Sequence, residues 1–150
     1  MKIIIGCDKL GIDLKNLIID TFSKKGHEFT DVGVNPGEDV DYPITGEKVA
    51  EGVASGGYER GILICGTGIG MAIAANKVPG VRAAVCHDIY STERSVLSNN
   101  AQVMSMGAIV IGPATATTLV DRWLSLKFDE KSQSAPKVEK LNQIDQKYKK

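Results

Sequence analysis

A chain of 150 residues can bury one good hydrophobic core and is too short for two ordinary domains, so we expect a single domain over residues 1–150. Its 18 basic and 18 acidic side chains cancel, which argues against a nucleic-acid backbone or an anionic membrane surface as the partner. The expected partner is a small molecule that a few side chains recognise locally.

Two further features of the composition concern location and metal binding. The amino-terminal apolar run is short and soon meets Asp8, and no apolar stretch reaches spanning length, so we expect no secretory signal, no membrane span and a cytoplasmic location. Cys7, Cys65 and Cys86 lack a CxxC spacing, which predicts free thiols rather than a disulfide framework or a zinc site.

The first half of the chain alternates short apolar runs with helical patterns. Residues 2–6 predict a strand, and a helix is expected from about Gly11. Residues 27–34 predict a second strand, Pro43 begins a helix, and residues 61–65 form an unbroken apolar strand. The residues that these two helices are expected to turn inward are Leu14, Leu17, Ile18, Phe22, Ile44, Val49 and Val53.

The second half continues the alternation. A helix is predicted over 71–77, a strand over 82–86 and a helix over 90–98, which Asp88 or Ser91 would cap. Residues 103–111 predict either two strands or one strand that bends at Gly107.

Two helices close the chain, over 114–128 and from Pro136 to about residue 148, with a polar linker between them. The apolar residues at helical spacing are Leu119, Val120 and Trp123 in the first helix, and Val138, Leu141, Ile144 and Tyr148 in the second. This alternation predicts an α/β fold, a Rossmann-like three-layer α/β/α sandwich with a mainly parallel five-stranded sheet. In such sheets, ligands bind outside the carboxyl ends of the strands.

The segment from Ile62 to Gly70, with the sequence ILICGTGIG, carries the strongest chemical signal. Its glycines, Gly66, Gly68 and Gly70, let backbone amides crowd together at a helix amino terminus, which suits an anion. A tight turn without a ligand is the alternative. Cys65 favours the first interpretation, because a thiolate beside such a helix end suits a nucleophile or a general base.

Other candidates flank this segment. Asp8 and Lys9 follow the first strand and would face the same crevice, although a helix cap and a solvated lysine are the alternative. His87 is either a ligand or a loop residue, and two isolated histidines make no metal site. A dinucleotide site is disfavoured, because the glycine spacing is GxGxG rather than GxGxxG and a substrate domain is absent.

These segments resemble the ribose-5-phosphate isomerase B family, which includes the two galactose-6-phosphate isomerase subunits, over nearly the whole chain. The matching segments are Gly6–Asp8, Asp41–Pro43, Ile62–Gly70, Ala74–Arg82 and Asn99–Ala101. The resemblance implies an aldose–ketose isomerisation of a sugar phosphate through a cis-enediol, without metal or cofactor, in which Cys65 transfers the proton.

The resemblance also implies which residues support Cys65 and how the chains assemble. Asp8, Thr67, Asn99 and the loop amides, including that of Ile69, would contact the substrate, and Tyr42 would close one wall. A homodimer or a dimer of dimers with sites shared between subunits is implied, with the last helix packed on the partner. A non-catalytic sugar-phosphate-binding protein or partner subunit is the alternative, against which the retention of Cys65 and Thr67 argues.

Departures from the family pattern bear on the substrate. Lys9 and Ser98 stand where family members usually carry histidine, and the second of these histidines is thought to open the sugar ring. Ile109, Gln133 and Lys137 lie near the positions of phosphate-binding arginines, so Lys9 and Lys137 are the candidates to replace part of that charge.

The missing ring-opening residue would not matter for a substrate that has no ring. A tetrose 4-phosphate cannot close a furanose because its O4 is esterified, and residues 87–94 and 97–102 resemble the erythrulose-4-phosphate isomerase branch. The hypothesis is therefore the interconversion of erythrulose 4-phosphate and erythrose 4-phosphate, with ribose 5-phosphate as the close competitor. In this site Asn99 would orient the carbon chain, and Ser98 would leave room or bind a hydroxyl.

Overall fold

The computed structural model describes residues 1–149, in which five strands and six helices alternate. The elements are β1 (Lys2–Cys7), α1 (Ile12–Ser23), β2 (Glu28–Asp31), α2 (Tyr42–Ala54), β3 (Arg60–Cys65), α3 (Ile69–Ala75), β4 (Ala83–Val85), α4 (Ile89–Leu97), β5 (Val103–Gly107), α5 (Pro113–Ser125) and α6 (Ala135–Tyr148). The strands form one sheet in the order β2-β1-β3-β5-β4, and every pairing is parallel.

Helices cover both faces of the sheet, so the predicted three-layer sandwich is confirmed. On one face, alternate residues of β1, β3 and β5 pack against α1, α4 and α5 around the fully buried Trp123. On the other face, the remaining residues of these strands pack against α2 and α3. The central strand β3 contributes to both clusters, which explains why its sequence is apolar without alternation.

Three predicted strands are shorter than expected, and the smallest difference is in β4, which spans Ala83–Val85 rather than 82–86. β2 ends at Asp31 rather than Val34, although the amides of Val32 and Val34 still donate to carbonyls of β1. β5 ends at Gly107, because the amides of residues 108 and 109 leave the ladder and donate to the carbonyls of Cys65 and Gly66. The strand predicted over 103–111 is therefore one strand followed by a turn.

Two residues expected in the core are exposed. Leu17 is 37% exposed and Ile44 is 47% exposed, so the prediction that they face inward was wrong. The buried stripe of α1 is rotated toward Lys15, which is 1% exposed and takes a core position. Ile44 lies in the first turn of α2, whose buried residues begin at Thr45.

Helix α6 contributes one buried side chain, Val138. Its carboxyl-terminal half is held by Asn142, whose Oδ1 accepts from Arg82 Nη1 at 3.0 Å, and by Asp145, which accepts from the amide of Gly80. Leu141, Ile144 and Tyr148 are exposed. Among residues 1–149, no helix has the length and apolar content that crossing a bilayer requires.

Candidate active site

The carboxyl ends of β1, β3 and β5 bring three segments together at one edge of the sheet. The register pairs Cys7 with Ile64 and Cys65 with Gly107, so these strands end side by side. The amide of Asp8 continues the pairing by donating to the carbonyl of Ile64 at 3.1 Å. Asp8 and the glycine loop of residues 66–70 therefore lie at the same edge, as the sequence predicts.

Cys65 ends β3 with its thiol under the glycine loop. The residue is 6% exposed, and its Sγ accepts a hydrogen bond from the amide of Gly68 at 3.0 Å. Gly68 has a φ of +77°, and a Cβ at this position would lie 2.8 Å from the carbonyl carbon of Met106. Glycine is therefore required here both for the left-handed turn and for the close approach to β5. This turn is what aims the amide at the thiol.

The rest of the loop is partly open. Thr67 is exposed, and its Oγ1 accepts from the amide of Ile69 at 3.3 Å. Gly70 lies under the ring of Tyr42, since a Cβ on Gly70 would be 2.5 Å from Tyr42 Cε2. Tyr42 is 45% exposed, so its ring borders the loop without being buried.

Asp8 and Lys9 each contact another part of the chain, but Asp8 is not the cap of α1, which starts after Gly11 without a side-chain cap, and Lys9 is paired rather than simply solvated. Asp8 Oδ1 accepts from the amide of Leu10 at 2.9 Å, and Lys9 Nζ lies 2.8 Å from Asp39 Oδ2. The hydrogen bond that Lys9 donates to Asp39 raises the pKa of Lys9, which favours its charged form. Because exposed ion pairs of this kind contribute little, Lys9 can exchange Asp39 for a ligand anion at low cost.

Two apolar side chains cover the first glycine of the loop. A Cβ on Gly66 would lie 3.1 Å from Leu10 Cδ1 and 3.4 Å from Ile109 Cδ1. Ile109 is held there by its amide, which donates to the carbonyl of Gly66 at 3.1 Å. The side of the site next to Gly66 is thus lined by methyl groups rather than by charged groups.

Ser98 and Asn99 lie away from Cys65 and the glycine loop. Helix α4 starts after the carboxyl end of β4 and runs back for nine residues, which is about 13 Å at the α-helical rise. Ser98 and Asn99 therefore lie at the amino-terminal edge of the sheet, where the carbonyl of Asn99 accepts from Arg82 Nε at 3.1 Å. Asn99 also lines a cavity of about 380 Å³ between β4 and α6.

Lys137 lies near the amino-terminal edge of the sheet as well. It is in the first turn of α6, five residues before Asn142, whose Oδ1 accepts from Arg82 Nη1 at 3.0 Å. Arg82 directly precedes β4 and so marks the amino-terminal edge. One chain thus brings together Asp8, Lys9, Tyr42, Cys65, Thr67 and the glycine loop, and keeps Ser98, Asn99 and Lys137 apart from them.

The other two cysteines differ from Cys65. Cys7 is fully buried, and burial raises the pKa of its thiol to about 11. Burial also raises the pKa of Cys86. Both thiols are therefore packing groups of the core rather than parts of the site.

Two polar residues behind the loop were not assigned to the site by the sequence, namely Ser105, which contacts the loop itself, and His87, which contacts the end of β5. Ser105, inside β5, donates from Oγ to the carbonyl of Gly68 at 2.6 Å. His87, left open as a ligand or a loop residue, accepts at Nε2 from the amide of Gly107 at 2.8 Å. For Ser105, the signal was a single hydroxyl inside an otherwise apolar strand.

Comparison with known proteins identifies the family. The model of the Ribose/Galactose Isomerase family matches residues 3–141. The chain is 53% identical to the "Ribose-5-P isomerase B" of Listeria innocua, over 98% of this chain and 99% of that protein. It is 51% identical to the "D-erythrulose-4-phosphate isomerase" of Pectobacterium atrosepticum, over 94% of this chain and 93% of that protein.

A solved structure agrees with these relatives. The structure of ribose-5-phosphate isomerase B from Clostridium thermocellum superposes with a TM-score of 0.95 at 47% identity, covering 99% of this chain and 100% of that chain. The chain belongs to the Ribose/Galactose Isomerase family, and it is a sugar-phosphate isomerase. The resemblance inferred from the sequence is thereby confirmed.

Proposed function

We propose that this isomerase interconverts an aldose and a ketose phosphate, with erythrulose 4-phosphate and erythrose 4-phosphate as the favoured pair. Ribulose 5-phosphate and ribose 5-phosphate are the close competitor. The observation that carries the reaction type is the hydrogen bond from the Gly68 amide to Cys65 Sγ at the edge where Asp8 and the loop amides meet. This arrangement offers one proton acceptor beside several fixed donors, which is what proton transfer next to a carbonyl requires.

In the proposed cycle, the Cys65 thiolate removes the proton from the carbon beside the carbonyl. The electron pair moves to the carbonyl oxygen, and the resulting cis-enediolate is stabilised by loop amides and Thr67. Cys65 then returns the proton to the neighbouring carbon, while one hydroxyl proton passes between the two oxygens. Asp8 binds a substrate hydroxyl, and the charge of Lys9 faces the phosphate.

The preference for a four-carbon substrate rests on two features of the chain. Ser98 replaces a residue that would open a ring, and an acyclic tetrulose phosphate needs no ring opening. The methyl groups of Leu10 and Ile109 narrow the site beside Gly66, which favours the shorter substrate. The Pectobacterium relative carries the name of the tetrulose enzyme and the Listeria relative that of the ribose enzyme, so both substrates are tested together.

The proposal includes a homodimer or a dimer of dimers. If Ser98, Asn99 and Lys137 contact the same substrate as Cys65, a second copy must supply them, because one chain holds the two sets at opposite edges of the sheet. Exposed apolar residues are available for such an interface on α3 and α6, namely Ile69, Ile73, Leu141, Ile144 and Tyr148. The last helix would then pack on the partner.

The test is a comparison of initial rates on erythrulose 4-phosphate and ribose 5-phosphate, with Cys65→Ala as the blank. We expect a preference for the tetrulose and a loss of at least about 10³-fold in kcat for Cys65→Ala. Preference for ribose 5-phosphate would contradict the substrate proposal. Retained turnover by Cys65→Ala would contradict the role of Cys65, and no turnover of either sugar by the native chain would favour a non-catalytic subunit.

A further inference from the structure

We propose that Ser105 is a positioning residue that holds the Gly68 amide in line with Cys65. This inference rests on the proposed function, in which Cys65 is the base. It concerns a residue of β5 that contacts neither the thiol nor the open side of the site. Its effect passes through one residue of the glycine loop.

The contacts form a short chain from the strand to the thiol. Ser105 is fully buried, and its Oγ donates to the carbonyl of Gly68 at 2.6 Å. The amide of the same glycine donates to Cys65 Sγ at 3.0 Å. Both groups of Gly68 are thus engaged, the carbonyl with β5 and the amide with the end of β3. The hydroxyl and the thiol fix one residue from two sides.

Gly68 depends on such an anchor more than an ordinary loop residue would. Its φ of +77° is left-handed, a conformation that glycine can leave without steric penalty. Its Cα packs directly on the backbone of Met106, so its carbonyl is buried beside β5. This carbonyl also accepts from the amide of Ala72 at 3.2 Å, so the hydroxyl makes the shorter of its two hydrogen bonds and the one that ties the loop to β5. Without that bond, the carbonyl keeps only the helical donor and Gly68 is free to turn away from β5.

A small rotation of Gly68 would weaken the contact with Cys65. Hydrogen bonds weaken steeply as the angle at the donor hydrogen becomes smaller. The bond from the Gly68 amide to Cys65 is stronger when the sulfur is a charged thiolate, so the thiolate form loses most from the rotation. The thiolate would then lose one of the donors that stabilise its charge, and proton transfer by Cys65 would be slower. Binding of the substrate through Asp8 and Lys9 would not change.

The chain offers a matched control in Ser95 on α4. This serine is 4% exposed, and its Oγ donates to a backbone carbonyl, that of Thr92, at 2.8 Å. Removal of either hydroxyl therefore leaves a backbone carbonyl without its serine donor in a packed region. Only the hydroxyl of Ser105 is connected to Cys65, so a difference between the two variants reports on positioning rather than on stability.

The experiment compares the native chain with Ser105→Ala, Ser105→Cys and Ser95→Ala in two measurements. The first is kcat and KM on the better substrate. The second is the rate of Cys65 alkylation by iodoacetamide between pH 6 and 10, measured by peptide mass spectrometry. For Ser105→Ala we expect kcat about tenfold lower with KM within about twofold, and an alkylation midpoint at higher pH. Ser105→Cys keeps the shape of the side chain with a weaker donor. Its kcat and its alkylation midpoint should lie between those of the native chain and those of Ser105→Ala.

Ser95→Ala should match the native chain in kcat and in the alkylation midpoint, even if its melting temperature falls. If Ser105→Ala changes only the melting temperature, as a purely structural serine would, the proposal is wrong. If Ser105→Ala does not fold, the same comparison with Ser105→Cys decides. Alkylation does not depend on turnover, so this result stands even if activity of Cys65→Ala refutes the role of Cys65 as the base.

Discussion

Lys15 and Asp31 form an ion pair with 2.7 Å between Nζ and Oδ2, in which the lysine side chain is 2% exposed and the aspartate side chain 35%. Lys15 Nζ also donates to the carbonyl of Val34 at 3.2 Å, and Asp31 Oδ1 accepts from the amide of Gly33 at 2.8 Å. The buried cation thus fixes the segment that leaves β2. This segment leads on to Asp39, the partner of Lys9, and to Tyr42.

Lys15→Met should destabilise the protein because it leaves the Val34 carbonyl without this donor and Asp31 without its cation. We expect a loss of about 2 kcal/mol in the free energy of unfolding, below the cost for a fully buried pair because Asp31 keeps contact with water. Urea unfolding measures this change. Lys24→Met, at an exposed position just after α1, should change stability by less than about 0.5 kcal/mol. Equal effects of the two changes would mean that the ion pair adds no stability.

Gly70→Ala should move Tyr42, because the added methyl would lie 2.5 Å from Cε2 of the ring. If the ring forms a wall of the site, kcat/KM should fall about tenfold, with a smaller effect on melting temperature. Gly57→Ala is the matched control, since its nearest contacts would be at 3.6 Å. Unchanged kinetics in a folded Gly70→Ala protein would remove Tyr42 from the list of site residues.

The pH dependence of stability should contain a contribution from Cys7. Burial raises the pKa of this thiol from 9.0 to about 11, so the folded state keeps its proton to higher pH than the unfolded state does. The resulting stabilisation is complete below pH 9 and is lost as the pH rises toward 11. Urea unfolding of the native chain and of Cys7→Ala between pH 8 and 10.5 should show a steeper decline for the native chain. Parallel declines would contradict this prediction.

Thiol labelling should separate the three cysteines in the folded protein. Raised pKa values keep Cys7 and Cys86 protonated at pH 8, and both are fully buried, so iodoacetamide should modify them only after unfolding. Cys65 borders the open edge of the sheet and should react in the native state. Mass spectrometry of labelled peptides measures this order, and native labelling of Cys7 before Cys65 would contradict it.

Mixed variants test whether two chains share a site. Cys65→Ala and Asn99→Ala should each be inactive or weak, and co-refolding them should restore about a quarter of the native activity. Random pairing makes half of the dimers mixed, and one of the two sites in each mixed dimer is intact. Cys65→Ala mixed with Thr67→Ala should show no such recovery, because one chain supplies both residues to the same site and every site of a mixed dimer then carries one of the two changes. Equal recovery in both mixtures would contradict the shared site.

Much of the fold follows from the sequence because each element has a simple pattern. The continuous apolar runs at β1 and β3 predict buried parallel strands, and parallel strands place Asp8 and Cys65 at one edge. Lys15 was missed because periodicity assigns a lysine to the solvent side, and only the structure reveals its partner Asp31. The separation of Ser98 from Cys65 depends on the direction of α4, which the motifs alone do not describe.

The placement of the cysteines on the sheet bears on how the enzyme would respond to oxidants. Cys65 packs with Ile4 and Leu63 on one face, whereas Cys7 and Cys86 belong to the cluster on the other face. A sulfenic acid formed on Cys65 would therefore find no second thiol of the same chain to condense with. Its rescue would depend on a small thiol entering from solvent, and in the absence of one, further oxidation would be irreversible.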